Sequence, residues 1–176
     1  ARGLGGSETD PVCSCAEENV LAFPGDPYST ENILIHEFAH AIHLNGIFDV
    51  DTTFDKRLGK TYKAAMAKGL WKSKYAANNK AEYWAEGVQS WFNTNRPPDH
   101  DHNHVDTREE LKEYDPGLAK LVGEIFGDTE WRYKRPSQRK SPGHLQGFDP
   151  LITPIFKWPK ELNDFYLKHI REQNKT

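Results

Sequence analysis

Two histidines and a glutamate stand close together in Ile35-His36-Glu37-Phe38-Ala39-His40. On a helix, residues four apart lie about 40° apart around the axis and roughly 6 Å along it. His36 and His40 can then reach one metal ion, and Glu37, rotated to the side, can hold a water bound to that metal. The chemistry this arrangement suits is metal-assisted hydrolysis. The five-residue pattern also arises by chance, and a buried amphipathic helix with incidental histidines is the competing reading. Apolar residues flank the motif tightly, which favours a site that excludes water.

The motif needs a helix to position it. Ser29 or Thr30 can cap one after Pro27, and Glu31 suits the positive end of the helix dipole. Ile33, Leu34, Phe38, Ala41 and Ile42 recur at helical spacing, and Asn45-Gly46 is a stop signal. The spacing predicts a helix over 30–44. Further helices are expected over 56–68, ended by Gly69, and over 79–93. Two short ones, 107–114 and 116–126, are split by Asp115-Pro116-Gly117, and a closing helix follows over 160–173. Asn19–Phe23 is the one short strand candidate. Residues 127–158 read as irregular.

A catalytic zinc takes three protein ligands and keeps one position open. The third ligand is not a histidine six residues after His40, because position 46 is Gly. His43 lies seven residues beyond His36, about 10 Å along the axis, too far to share the ion, and a packing role suits it better. Carboxylates on another helix remain. Ala81-Glu82-Tyr83-Trp84-Ala85-Glu86 offers two, one turn apart among aromatic residues. An acidic side chain in an apolar helical stretch needs a reason, because burying a lone carboxylate is costly. For Glu82, a capping box with Asn79 is an alternative reason, and Glu86 could face solvent.

The segment from His36-Glu37-x-x-His40 to Tyr75-x-x-x-Asn79-x-x-Glu82-Tyr83-Trp84-Ala85-Glu86 resembles the catalytic core of gluzincin metallopeptidases. It is most similar to the anthrax lethal factor-like group. The resemblance covers roughly 29–93. It implies Zn2+ as cofactor, with Glu82 as third ligand beside His36 and His40, and Tyr75 as a donor facing the metal. It implies Glu37 as catalytic base and Glu86 as the group that orients a ligating histidine.

Composition bounds the alternatives. The chain has 176 residues, 36% of them hydrophobic, and a formal net charge of −3. That suits a single catalytic domain over 1–176, with a core at 29–126 and an irregular C-terminal extension from 127. Charge gives no basis for a nucleic-acid partner, and no apolar run approaches the roughly 20 residues of a membrane span. Residues 1–6 do not read as a signal peptide and look like the start of a mature chain; a secreted, extracellular location is expected. Cys13 and Cys15 could form a small strained ring, stay free, or bind something absent from this chain. His100, His102 and His104 alternate in a polar loop, where solvation is a better reading than a second metal site. Trp71, Tyr83, Trp84 and Trp91 read as core.

The expected fold is mainly α, an α+β zincin-like helical core with little or no β-sheet. The expected function is zinc-dependent endopeptidase action on a peptide or protein substrate. A non-catalytic zinc-binding or partner-binding domain, and a zinc hydrolase of non-peptide amides, are the alternatives.

Overall fold

A computed structural model describes residues 2–141 and 143–173. It is mainly helical. Strands β1 (Gly3–Leu4) and β2 (Ser14–Cys15) form a two-stranded antiparallel sheet, with Gly3 opposite Cys15 and Leu4 opposite Ser14. Helices follow as α1 (Glu17–Val20), α2 (Ile33–Ala41), α3 (Phe48–Val50), α4 (Phe54–Ala67), α5 (Lys80–Trp91), α6 (Arg108–Tyr114), α7 (Pro116–Phe126) and α8 (Lys160–Gln173). Helices α4 to α8 fall within two residues of their sequence-based bounds.

Two expectations are overturned. Asn19–Phe23 is not a strand. It spans the end of α1 and a turn in which Ala22 takes φ of 58°. The reason is polar: the Asn19 amide is buried and donates to Asp26, to the Tyr28 carbonyl and to the Glu31 carbonyl, so this segment knots the loop before α2. The start and stop of the motif helix also shift. Asn32, not Ser29 or Thr30, caps α2, its Oδ1 accepting from the Ile35 amide at 3.0 Å. Asn45-Gly46 does not end the helix. The chain widens into a π-helix over Ile42–Ile47 and continues into α3. Gly46 is not in the left-handed conformation that a glycine stop requires.

The core lies around α5. Tyr83, Trp84, Ala85, Val88 and Trp91 are all buried, packed with Phe54 and Leu58 of α4, Leu111 of α6 and Leu118 and Val122 of α7. Trp84 stands edge-on to Phe54 at 5.2 Å and donates its indole N–H to the Ala39 carbonyl at 2.9 Å, joining α5 to α2. The carbonyl of residue 39 is thus held one residue from His40. Asp115 is a second anchor. Its carboxylate accepts from Tyr83 at 2.6 Å and from Trp71 at 3.0 Å, while its other oxygen caps α7. The Asp115 charge beside it, after burial itself, raises the Tyr83 phenol far above its ordinary value. Trp71 holds φ of 60°, strained for a bulky residue, and is fixed there by Asp115 and by the Tyr114 hydroxyl on its amide.

Candidate metal centre

Helix α2 presents His36 and His40 on one face, and α5 brings Glu82 against them. His36 Nε2 lies 3.2 Å from His40 Nε2 and 3.0 Å from Glu82 Oε2; His40 Nε2 lies 3.5 Å from the same oxygen. Two imidazole nitrogens and a carboxylate oxygen are a zinc donor set. Atoms bound about 2.0–2.1 Å from a tetrahedral ion stand about 3.3 Å from one another, which the three distances bracket. Among the described residues, His36, His40 and Glu82 form a group that could hold a metal ion. The residues fit a zinc ion, and His36 also lines a neighbouring cavity.

Helix capping at Asn79 leaves the Glu82 side chain free to face the histidines. The Asn79 side chain accepts from the amides of Ala81 and Glu82, while the Glu82 carboxylate turns to the histidines. Burial of Glu82 opposes its charge, yet the hydrogen bonds with His36 and His40 hold it down to about 2. Burial likewise opposes charge on His36, but Glu82, Glu86 and Gln89 push it up to about 9.

Glu37 stays outside the donor group and lines an adjoining cavity of about 290 Å³ with His36, Tyr75, Tyr28, Arg96 and His102. Burial raises its carboxyl above the usual range, against the pull of His36 and His40. The first strand lies against it. A Cβ at Gly3 would stand 2.7 Å from Glu37 Cγ, and one at Gly5 would overlap the Cβ of His40, so the backbone approaches as only glycine allows. This strand has no periodic pattern in the sequence. The Gly-x-Gly spacing at 3–5 was its only signal.

Tyr75 opens a short 3-10 turn, Tyr75–Ala77, and is 39% exposed on the same cavity, its ring 6.2 Å from that of His36. It does not point into the core. Its amide donates to the Asp101 carbonyl at 2.8 Å, which fixes the turn. Burial, then Glu82, Glu86 and Glu37, push its phenol up to about 12, so it keeps its proton at neutral pH.

Glu86 is buried, with Oε1 3.6 Å from His36 Nδ1 and Oε2 accepting from Asn95 at 3.0 Å. The nearer partner of His36 Nδ1 is Gln89 Oε1, at 2.8 Å. Gln89 was missed in the sequence. The available signal was its spacing: 82, 86 and 89 share one face of α5, and each is polar in an apolar stretch.

His43 is buried against Phe54 and Trp84, its Nε2 3.2 Å from Asp55, away from the donor group. The loop histidines part company. His102 is buried against Asp99 and Glu86, His104 stands edge-on to Tyr114, and His100 is exposed beside Asp101. Cys13 and Cys15 are free thiols, and burial pushes Cys15 up to about 11. Among the described residues, no helix is long and apolar enough to cross a membrane.

Compared with protein-family models, with curated proteins and with solved structures, the chain matches none.

Proposed function

We propose that the chain is a zinc-dependent endopeptidase of the gluzincin type, built on a reduced zincin-like core in a single catalytic domain. The observation that carries this reading is the donor triangle of His36, His40 and Glu82, with Glu37 beside it but outside it. A purely structural site needs no such base. Zinc, when bound, supplies Lewis-acid polarisation of the scissile carbonyl and a lowered pKa for an attacking water.

The remaining roles fall to this chain's own side chains. The Glu37 carboxylate accepts the proton of the attacking water and later delivers it to the leaving amine. Its partial burial favours the first half of that exchange, because a raised pKa makes the carboxylate a better proton acceptor. The Tyr75 hydroxyl, protonated at working pH, donates to the oxyanion that develops on the carbonyl. His36 and His40 present their Nε2 atoms as ligands, and Glu86 holds negative charge behind His36. The substrate is a peptide or protein, and a secreted location accords with this activity.

The test couples metal content to cleavage. Purified protein should hold one zinc per chain, and His36→Ala and Glu82→Ala should lose or weaken it. Incubated with a proteome-derived peptide library, the loaded protein should create new termini that a chelator abolishes. Zinc uptake without any cleavage would favour a non-catalytic metal domain; cleavage confined to non-peptide amides would favour the other hydrolase reading. Full zinc retention in Glu82→Ala would remove Glu82 from the ligand set.

A further inference from the structure

The amide of Gln89 is oriented without ambiguity by its surroundings. Its side chain is fully buried on α5. On one side stand Glu31 Oε2 and the Asn32 carbonyl oxygen, each 3.2 Å from Gln89 Nε2. Both are acceptors, so the NH2 group must face them. The amide oxygen is thereby turned to His36 Nδ1, 2.8 Å away. An oxygen with no proton to give requires Nδ1 to be the donor. In neutral His36 the proton is then on Nδ1, and the lone pair of Nε2 points to His40 and Glu82.

The orienting chain extends further. The second Glu31 oxygen is paired with Arg96, so Glu31 is held as a charged acceptor. Asn32 is the residue that caps α2. Its amide donates to the Thr94 carbonyl, and both the amide and hydroxyl of Thr94 donate to the Gln89 carbonyl. The start of α2, the end of α5 and the turn after it therefore close on one residue, Gln89, through its side-chain amide and its backbone carbonyl. Glu86 is farther from His36 Nδ1, at 3.6 Å, and spends its other oxygen on Asn95.

We propose that Gln89 is the positioning residue that fixes the tautomer and ring orientation of His36, so that Nε2 is presented to the metal. This rests on the zinc reading above. Loss of an outer partner of a metal-bound histidine lowers metal affinity by about 10–100-fold. A neutral amide in this place fixes the ring without adding a further negative charge to a site that already holds Glu82 and Glu86.

The test separates orientation from packing. Gln89→Met keeps the volume and removes both halves of the amide. Gln89→Glu keeps an acceptor for His36 but loses the donors to Glu31 and Asn32. Zinc affinity, by competition with a chromophoric chelator, and the Tm of the metal-free protein are measured for each. The proposal expects Gln89→Met to lose about 10–100-fold in affinity. It expects Gln89→Glu to lower the metal-free Tm, through repulsion from Glu31, while its zinc affinity stays near that of the wild type. A merely structural role makes both variants lose affinity in step with Tm, and that result overturns the proposal. So does wild-type affinity in folded Gln89→Met. If the variants do not fold, nitrogen-15 NMR of the alkaline, metal-free wild type decides. The proposal expects the His36 proton on Nδ1, in contact with Gln89 side-chain protons, and a proton on Nε2 contradicts it. That spectrum is independent of zinc. A wild-type chain that shows this tautomer but takes up no zinc therefore refutes the peptidase reading, while the histidine's orientation stands.

Discussion

At the residue scale the account turns on where protons sit. In the metal-free protein His36 stays positively charged, with both ring nitrogens protonated, up to about pH 9, and Glu82 stays ionised down to about 2. The raised histidine contributes stability that is complete below its ordinary value near 6.5 and is lost as pH rises through about 9. The depressed carboxylate contributes stability that is complete above its ordinary value near 4.5 and is lost as pH falls through about 2. The metal-free Tm should therefore be highest between about 4.5 and 6.5 and fall on either side. Zinc must displace the His36 proton, so its affinity should climb with pH toward 9 while metal-free stability declines. Thermal melts with and without zinc across that range check this, and a zinc-induced rise in Tm that shrinks from pH 6 to 9 would contradict it. For Tyr75, Tyr75→Phe should lower kcat by about 10²–10³-fold with little change in KM or Tm. Its half-exposed place on the cavity makes unchanged kcat the adverse result. The residues proposed to do chemistry were visible as types and spacings, because helix geometry converts an interval of four directly into a shared face. Gln89 shared the polar face of Glu82 and Glu86 but its role was not legible, because a buried amide names no partner until those 53 and 58 residues away are in place.

The elements show why those side chains meet. Helix α2 is held to α5 by the Trp84–Ala39 hydrogen bond, and Tyr75 sits on a turn between Trp71 and the Asn79 cap. Asp115 holds the residues on either side of that turn, Trp71 before it and Tyr83 after it. Asp115→Ala would strand two buried donors and remove the α7 cap, with a cost on the order of 3 kcal/mol. The measured Tm should fall accordingly. In protein still folded at low temperature, kcat should fall as well, because the residues flanking the turn that carries Tyr75 lose their anchor; undiminished kcat there would sever Asp115 from the site. The helices α4 to α8 were legible because their caps and breakers are local: Asn79, Thr107, Asp115-Pro116 and Gly69 act within a few residues. The start of α2 was misread because Asn32 competes with Ser29 and Thr30, and its advantage comes from long-range bonds to Thr94 and Gln89. The two-residue strands were missed because so short a run has no period to detect; Gly3 and Gly5 are explained by contact with α2 rather than by strand propensity.

At the scale of the whole molecule, the fold buries one aromatic core around α5 and leaves the donor triangle at its edge, beside a polar cavity. The mainly helical character follows from composition and periodicity. The pairing of α2 with α5 does not, since neither helix's own pattern names its neighbour. Binding zinc to the folded chain alone should stabilise it by mass action, about 2.7 kcal/mol at a hundredfold excess over Kd, and a chelator should lower Tm reversibly. An unchanged Tm on chelation would mean that the triangle holds no ion. The central claim, that this chain hydrolyses peptide bonds with Glu37 as base, is tested most directly by Glu37→Gln. Zinc-loaded wild type and variant are compared on one cleaved peptide, with zinc content and Tm measured on the same samples. The account predicts equal zinc, a comparable Tm and turnover lowered by at least about 10²-fold; near-normal turnover in the folded, zinc-loaded variant would contradict it.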